Sequence, residues 1–156
     1  MPSEFHDNAQ LVWPAEWINP SPIQRASIGL PLIGLDSRIF RSFARKLATR
    51  DGSILKAWQN DPVLTQIRDN IAACLARMRG WPNTLFHPDD PCAILFWTPQ
   101  SDLEIPETIL MLAKRFNVSP NVFDRLDQIS FGQLVERIRT EMTGNGKREF
   151  SESVPQ

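Results

Sequence analysis

Apolar residues recur at helical spacing through the second half of the chain, between residues 101 and 142. In residues 106–116 they fall three or four positions apart, which predicts an amphipathic helix. Ser119 before Pro120 is typical of an N-cap followed by a first-turn proline, so a short helix is expected to follow. Ser130 and Gln133 have the spacing of a capping box, which predicts one more helix. The apolar residues of these segments are Leu103, Ile109, Leu110, Leu112, Ala113, Phe116, Val122, Phe123, Leu126, Phe131, Leu134, Val135 and Ile138.

Two further helices are predicted in the first half. Asp61 followed by Pro62 predicts the start of the longest helix, and Gly80 its end. Asp36 is a candidate N-cap for a helix ending before Gly52. The outer face of that helix carries Arg38, Arg41 and Arg45, joined by Lys46 and Arg50. A solvated basic face is the commoner meaning of such a pattern, and a docking patch for an acidic partner is the functional alternative.

The first 35 residues form an N-terminal arm that is rich in proline and tryptophan. Five prolines exclude long helices there and predict an extended or looping segment. Large apolar residues, Trp13 and Trp17 among them, are too numerous for a solvated tail. The arm therefore packs on its own domain or docks on a partner, and the former is favoured because large apolar patches rarely stay bare.

Residues 81–97 connect the predicted helices through a turn-rich stretch. The run Ala93-Ile-Leu-Phe-Trp97 fits a buried strand or a helical turn, and no second convincing strand exists to pair with it. A loop or short helix is therefore expected, and the fold class predicted for the whole chain is all-α.

The helical half resembles the acyl carrier protein family. The residues that carry the resemblance are Ser101-Asp102-Leu103-Glu104, Glu107, Leu112, Phe116, Val118, Ser130-Phe131-Gly132, Val135 and Ile138. The resemblance implies a four-helix bundle over residues 61–143. Residues 1–60, the arm and the basic amphipathic helix, would pack on or beside the bundle, and residues 144–156 would form a mobile polar tail.

The resemblance also bears on function. The family's serine, which takes the phosphopantetheine arm, falls on Asp102, and a carboxylate cannot replace that hydroxyl nucleophile. We therefore expect a non-enzymatic protein-interaction module that has lost the carrier serine. One alternative is an atypical phosphopantetheine-dependent carrier modified at Ser101. Another is an accessory, immunity or regulatory protein that binds through its N-terminal arm.

The expected partner is another protein. In the family the second helix is the recognition surface, which implies roles for Asp102, Glu104 and Glu107. The basic helix adds Arg38, Arg41 and Arg45 as predicted partner-binding residues. Lys114 and Arg115 stand where the family usually has acids, so the partners should differ from those of ordinary fatty-acid synthesis.

Other functions have little support in the sequence. His87, Asp89 and Asp90 lack a second histidine for zinc, and adjacent carboxylates in a proline-rich turn usually serve as caps, so no metal is expected. No nucleophile–base spacing, glycine-rich phosphate loop or other cofactor motif is present. A net charge of −1 and tryptophans in apolar company argue against nucleic acid, and no apolar run predicts a membrane span. Cys74 and Cys92 have no metal-binding spacing and are interpreted as buried reduced thiols, unless the fold brings them close enough for a disulfide. Together with an N-terminus without signal-peptide features, they predict a cytoplasmic protein, and we expect a bacterial one.

Overall fold

The computed structural model describes residues 10–99 and 104–152 of the 156-residue chain, with side chains described through residue 145. Within these ranges the chain is helical and contains no strand, so the all-α prediction is confirmed; Pro91 and Ser130 form an isolated β-bridge. The α-helices are α1 (Ala15–Ile18), α2 (Pro22–Ser27), α3 (Leu35–Ala48), α4 (Pro62–Arg79), α5 (Cys92–Leu95), α6 (Glu104–Phe116) and α7 (Phe131–Glu152). Three 3-10 helices span Gly52–Ala57, Pro120–Phe123 and Leu126–Gln128.

The two longest helices, α4 and α7, pack against each other. The Asp61 carboxylate accepts the Val63 and Leu64 backbone N–H groups at 2.8 and 3.2 Å, which fixes the predicted start of α4. At its end Gly80 adopts φ 76°, a left-handed conformation that favours glycine. Asp61 also pairs with Arg139 of α7 at 3.1 Å, so the cap of one helix contacts the other.

The predicted capping box before α7 is present. The Gln133 backbone N–H donates to Ser130 Oγ at 3.3 Å, and the Ser130 N–H donates to the Gln133 side chain at 2.9 Å. The helix runs to Glu152, although the sequence pattern placed its end near Met142 and a polar tail from residue 144. Residues 144–152 are therefore helical.

The sequence pattern placed the start of helix α6 at Pro106. The helix already includes Glu104 and Ile105, so it begins before that proline. A proline is tolerated in a first turn because the first backbone N–H groups of a helix have no partner within it. The inner face of α6 buries Thr108, Leu112 and Ala113.

The prediction that Asp36 caps α3 is wrong. The helix begins at Leu35, whose backbone N–H donates to Ser27 Oγ at 3.1 Å. The Asp36 carboxylate instead accepts the Gly29 N–H at 3.1 Å and is buried. Position 34, just before the helix, requires a glycine because a Cβ there would lie 2.6 Å from the Ser27 carbonyl oxygen.

The N-terminal arm contains two short helices rather than only extended chain. In α2, Ser21 forms a capping box with Gln24 and Pro22 occupies the first turn, so this proline helps to start a helix. The first part of the arm packs on the body of the protein: Leu11 is buried, and Trp13 meets Phe43 of α3 edge-on at a centroid distance of 5.6 Å.

All five tryptophans contact other apolar groups, as expected for core packing. Trp13 and Trp17 lie against Trp97 at centroid distances of 5.4 and 5.3 Å. Trp81 stacks on Phe40 at 4.5 Å, and Trp58 meets Phe131 edge-on at 5.3 Å. The Ala93–Trp97 run overlaps α5 and forms no strand, in agreement with the prediction of a loop or short helix there.

Candidate functional site

The start of α6 is held by an arginine from the end of α4. The Arg79 side chain is fully buried and donates to the Phe96 carbonyl at 2.8 Å and to Thr108 Oγ1 at 2.8 Å. It also pairs with the Glu104 carboxylate at 3.0 Å. Burial lowers the pKa of the Arg79 guanidinium and the Glu104 charge opposes that shift; an arginine nevertheless stays protonated in proteins. Arg79 therefore fixes the geometry of the α6 N-terminus.

The ion pair with Arg79 changes the role expected for one of the predicted partner-binding residues. Glu104 is still half-exposed, but its carboxylate already has a cationic partner within the chain. Glu107, one turn later, is exposed. Glu107, unlike Glu104, therefore does not take part in the Arg79 cluster. Ser101 and Asp102, the other two residues singled out at this end, lie outside the described residues.

The outer face of α6 carries apolar side chains between charged ones. Leu110 is 60% exposed and Met111 38% exposed. Glu107 precedes them and Lys114 follows them, both exposed. The sequence pattern had placed Leu110 on the apolar stripe of this helix, whereas its side chain faces solvent. We refer to Glu107, Leu110, Met111 and Lys114 as the α6 stripe.

The basic residues predicted on α3 form a second surface. Arg38, Arg41 and Arg45 are all exposed, whereas Ile39 and Phe43 on the opposite side of the helix are 2% exposed. Cations in the last turns of a helix also suit its dipole. The α3 arginines and the α6 acids belong to different helices, and no hydrogen bond or ion pair described between these helices joins them.

A buried ion pair that the sequence did not reveal links three segments. The Asp90 carboxylate is fully buried and receives two hydrogen bonds from Arg50, at 2.6 and 2.8 Å. It also accepts the Leu11 N–H at 2.9 Å and the His87 N–H at 2.8 Å. The pair therefore joins the arm, the end of α3 and the connection after α4, and its role is structural.

A groove of about 1330 Å³ runs beside α7. Apolar residues such as Leu64 and Val122 line it together with His87, Arg137 and Glu141. The guanidinium of Arg137 donates to the Asp124 carbonyl at 2.8 Å, so this cation is engaged with the chain itself.

Among the described side chains, these surfaces contain no metal-binding group and no reactive thiol. His87 Nδ1 accepts the Asp89 backbone N–H at 3.1 Å, which is a turn contact. Among the residues described, no group of three histidine, cysteine or acidic side chains could hold a metal. Cys74 and Cys92 are buried free thiols, and burial raises the pKa of Cys92 to about 12, far from the range of a reactive thiol.

Comparisons with protein-family models, with curated proteins and with solved structures found no match for this chain. In the described part of the chain, no helix has the length and apolarity to cross a membrane.

Proposed function

We propose that the chain is a non-enzymatic protein-interaction module with an acyl-carrier-like arrangement of helices, and that it docks its partner on the α6 stripe. The observation that carries the proposal is the exposure of Leu110 and Met111 on the outer face of a helix whose start is fixed from inside by Arg79. Apolar groups held in position at a surface are typical of interaction sites.

The order of the helices supports the carrier-like part of the proposal. A long first helix (α4) is followed by a long connection that contains α5, then by α6, short 3-10 helices and a last helix, α7. The connection is anchored by Trp81 and Phe86, which are 5% and 0% exposed. The 3-10 helix Pro120–Phe123 packs against both α6 and α7. This is the order that the resemblance to acyl carrier proteins implies.

The chemistry of the stripe suits a protein partner. Protein interfaces combine an apolar centre with a polar rim, and methionine adapts to irregular apolar surfaces. Leu110 and Met111 supply such a centre, with Glu107 and Lys114 as rim charges of opposite sign. A complementary partner would place a cation opposite Glu107, an anion opposite Lys114, and an apolar pocket between them.

Intact mass spectrometry separates this function from that of a carrier. The chain is co-expressed with a broad-specificity phosphopantetheinyl transferase, and a conventional acyl carrier protein in the same cells serves as the positive control. We expect the chain to keep its unmodified mass, because Asp102 offers no hydroxyl group. A phosphopantetheine adduct mapped to Ser101 would contradict the proposal. The variant Asp102→Ser tests whether a hydroxyl group alone restores modification.

A further inference from the structure

The second half of the arm exposes an unusual concentration of apolar side chains. Eleven large apolar side chains of the described residues are exposed, and six of them fall between residues 18 and 33. The most exposed are Ile23 at 84%, Leu32 at 75% and Ile18 at 74%. We call the six the arm patch: Ile18, Ile23, Ile28, Leu30, Leu32 and Ile33. A concentration of exposed apolar side chains of this kind is typical of interaction sites.

The arm patch is a preformed surface. The Ser27 hydroxyl accepts the Leu35 N–H, and the Asp36 carboxylate accepts the Gly29 N–H, so the turn after α2 is tied to the start of α3. Within this turn Leu32 adopts φ 66°, a left-handed conformation that is unfavourable for a non-glycine residue. The turn holds an exposed leucine in a strained conformation, which is a feature found at functional surfaces.

Cations adjoin the arm patch. The guanidinium of Arg41 donates to the Leu32 carbonyl at 2.7 Å, so the basic face of α3 meets the patch directly. Arg38, Arg45 and Lys46 line a groove of about 370 Å³ together with Arg41. Among the lining residues described for this groove, Glu16 is the only acid. This groove is therefore locally basic, whereas the chain as a whole has a net charge of −1.

We propose that the arm patch and the basic face of α3 together bind an acidic amphipathic helix of another protein. The apolar residues of the partner helix would cover the arm patch, and its carboxylates would pair with Arg38, Arg41 and Arg45. This is the helix-docking mode of recognition, with complementary charges that set the orientation. The proposal does not depend on the α6 stripe, since it rests on a different surface.

The geometry favours a protein over an anionic membrane. Helices that lie in a membrane interface bury a long apolar face among the lipids while their basic face stays in water. Here the apolar face of α3 is already used in the protein core, where Leu35, Phe43 and Leu47 are at most 2% exposed. The arm patch itself lies on the end of α1, on α2 and on turns, and these two helices have only four and six residues.

Fluorescence anisotropy with a defined peptide tests the proposal. The probe is a labelled amphipathic peptide of about 16 residues, with leucines at i, i+3, i+4 and i+7, glutamates on the opposite face and alanines elsewhere to favour the helix. The full chain should bind it, and affinity should fall with salt. The double variant Arg38→Glu/Arg45→Glu should weaken binding at least about tenfold, and Ile23→Ser by a similar factor. The matched control Lys56→Glu/Arg77→Glu makes the same change of charge at exposed positions outside the arm patch and outside α3, and it should bind like the unmodified chain. Circular dichroism verifies that each variant is folded.

Several results would overturn the proposal. One such result would be that the control double variant loses as much affinity for the peptide as the α3 double variant does. Equal binding of a lysine-for-glutamate version of the peptide would exclude charge recognition. Binding to phosphatidylserine vesicles without binding to the peptide would assign the surface to a membrane. A dimer in sedimentation experiments that Ile23→Ser dissociates would assign it to a second copy of the chain.

Discussion

The guanidinium of Arg79 lies 3.0 Å from the carboxylate of Glu104, and this pair joins the last turn of α4 to the first turn of α6. The two residues are 25 positions apart, and the arginine side chain is fully buried. Thr108 completes the cluster, because its hydroxyl donates to the Glu104 carbonyl at 2.6 Å and receives a hydrogen bond from Arg79. The orientation of the α6 stripe therefore depends on a residue of another helix.

Replacing Arg79 with methionine should destabilise the fold. The change keeps most of the side-chain volume but leaves the Phe96 carbonyl without its donor and Glu104 without its cation, at a cost of about 2–4 kcal/mol. Urea unfolding followed by circular dichroism measures the loss. Arg77→Met on the exposed side of α4 is the matched control and should change stability by less than about 0.5 kcal/mol. Equal losses for the two variants would show that the buried cluster does not contribute.

Asp90→Asn should destabilise the junction of the arm with the body. Asparagine keeps the shape of the side chain, but Arg50 loses its buried counter-charge, which should cost on the order of 3 kcal/mol. Hydrogen exchange at the Leu11 amide should also become faster, because that N–H donates to Asp90 Oδ1. The exposed neighbour Asp89 provides the control, and Asp89→Asn should leave both stability and exchange close to their original values.

Trp13→Ala tests how the arm is held. The ring of Trp13 contacts Trp17, Phe43 and Trp97 at centroid distances of 5.4 to 5.8 Å. Its loss should cost about 2–4 kcal/mol and lower the melting temperature. Ile23→Ala in the exposed arm patch should change stability by less than about 0.5 kcal/mol. If Trp13→Ala melted like the unmodified chain, the packing of the arm on its own body would not contribute to stability.

Alkaline pH should weaken the fold through Cys92. Burial raises the pKa of this thiol from 9.0 to about 12, so the folded state keeps a proton that the unfolded chain loses first. The stabilising contribution is fully present below pH 9 and is lost as pH rises from 9 toward 12, by up to about 1.4 kcal/mol per pH unit. Burial also raises the pKa of the Cys74 thiol, so the variant Cys74→Ala is needed to separate the contributions of the two thiols. Cys92→Ala should flatten the slope in this interval, and an unchanged slope would contradict the assignment to Cys92.

The sequence predicted helices well where the signals were local. Asp61, Gly80 and the Ser130–Gln133 box act within a few residues of one helix end, so their spacing is enough to place that end. The prediction of Asp36 as an N-cap failed because the start of α3 is determined by Ser27, eight residues before Leu35. A contact of that kind leaves no periodic signal.

The candidate surfaces were less predictable. An exposed apolar patch and a buried core segment have the same composition, so the sequence could not distinguish Ile23, which is 84% exposed, from Leu11, which is 1% exposed. Arg79 did leave a signal, since it follows Ile71 and Leu75 at helical spacing on the apolar side of α4. An arginine on such an apolar stripe predicts a buried partner. The sequence could not identify Asp90 as the partner of Arg50, because the two residues are 40 positions apart in the chain.

The most direct test of the proposed function is quantitative co-purification from a lysate of the source organism with three versions of the full chain. These are the unmodified chain, Leu110→Ser/Met111→Ser in the α6 stripe, and Val63→Ser, a control on an exposed apolar residue of α4. A specific partner should be recovered equally with the unmodified chain and the control, and at least about tenfold less with the stripe variant. The same dependence should then appear with the purified partner. If every protein recovered with the unmodified chain were retained equally by the stripe variant, docking on α6 would be contradicted.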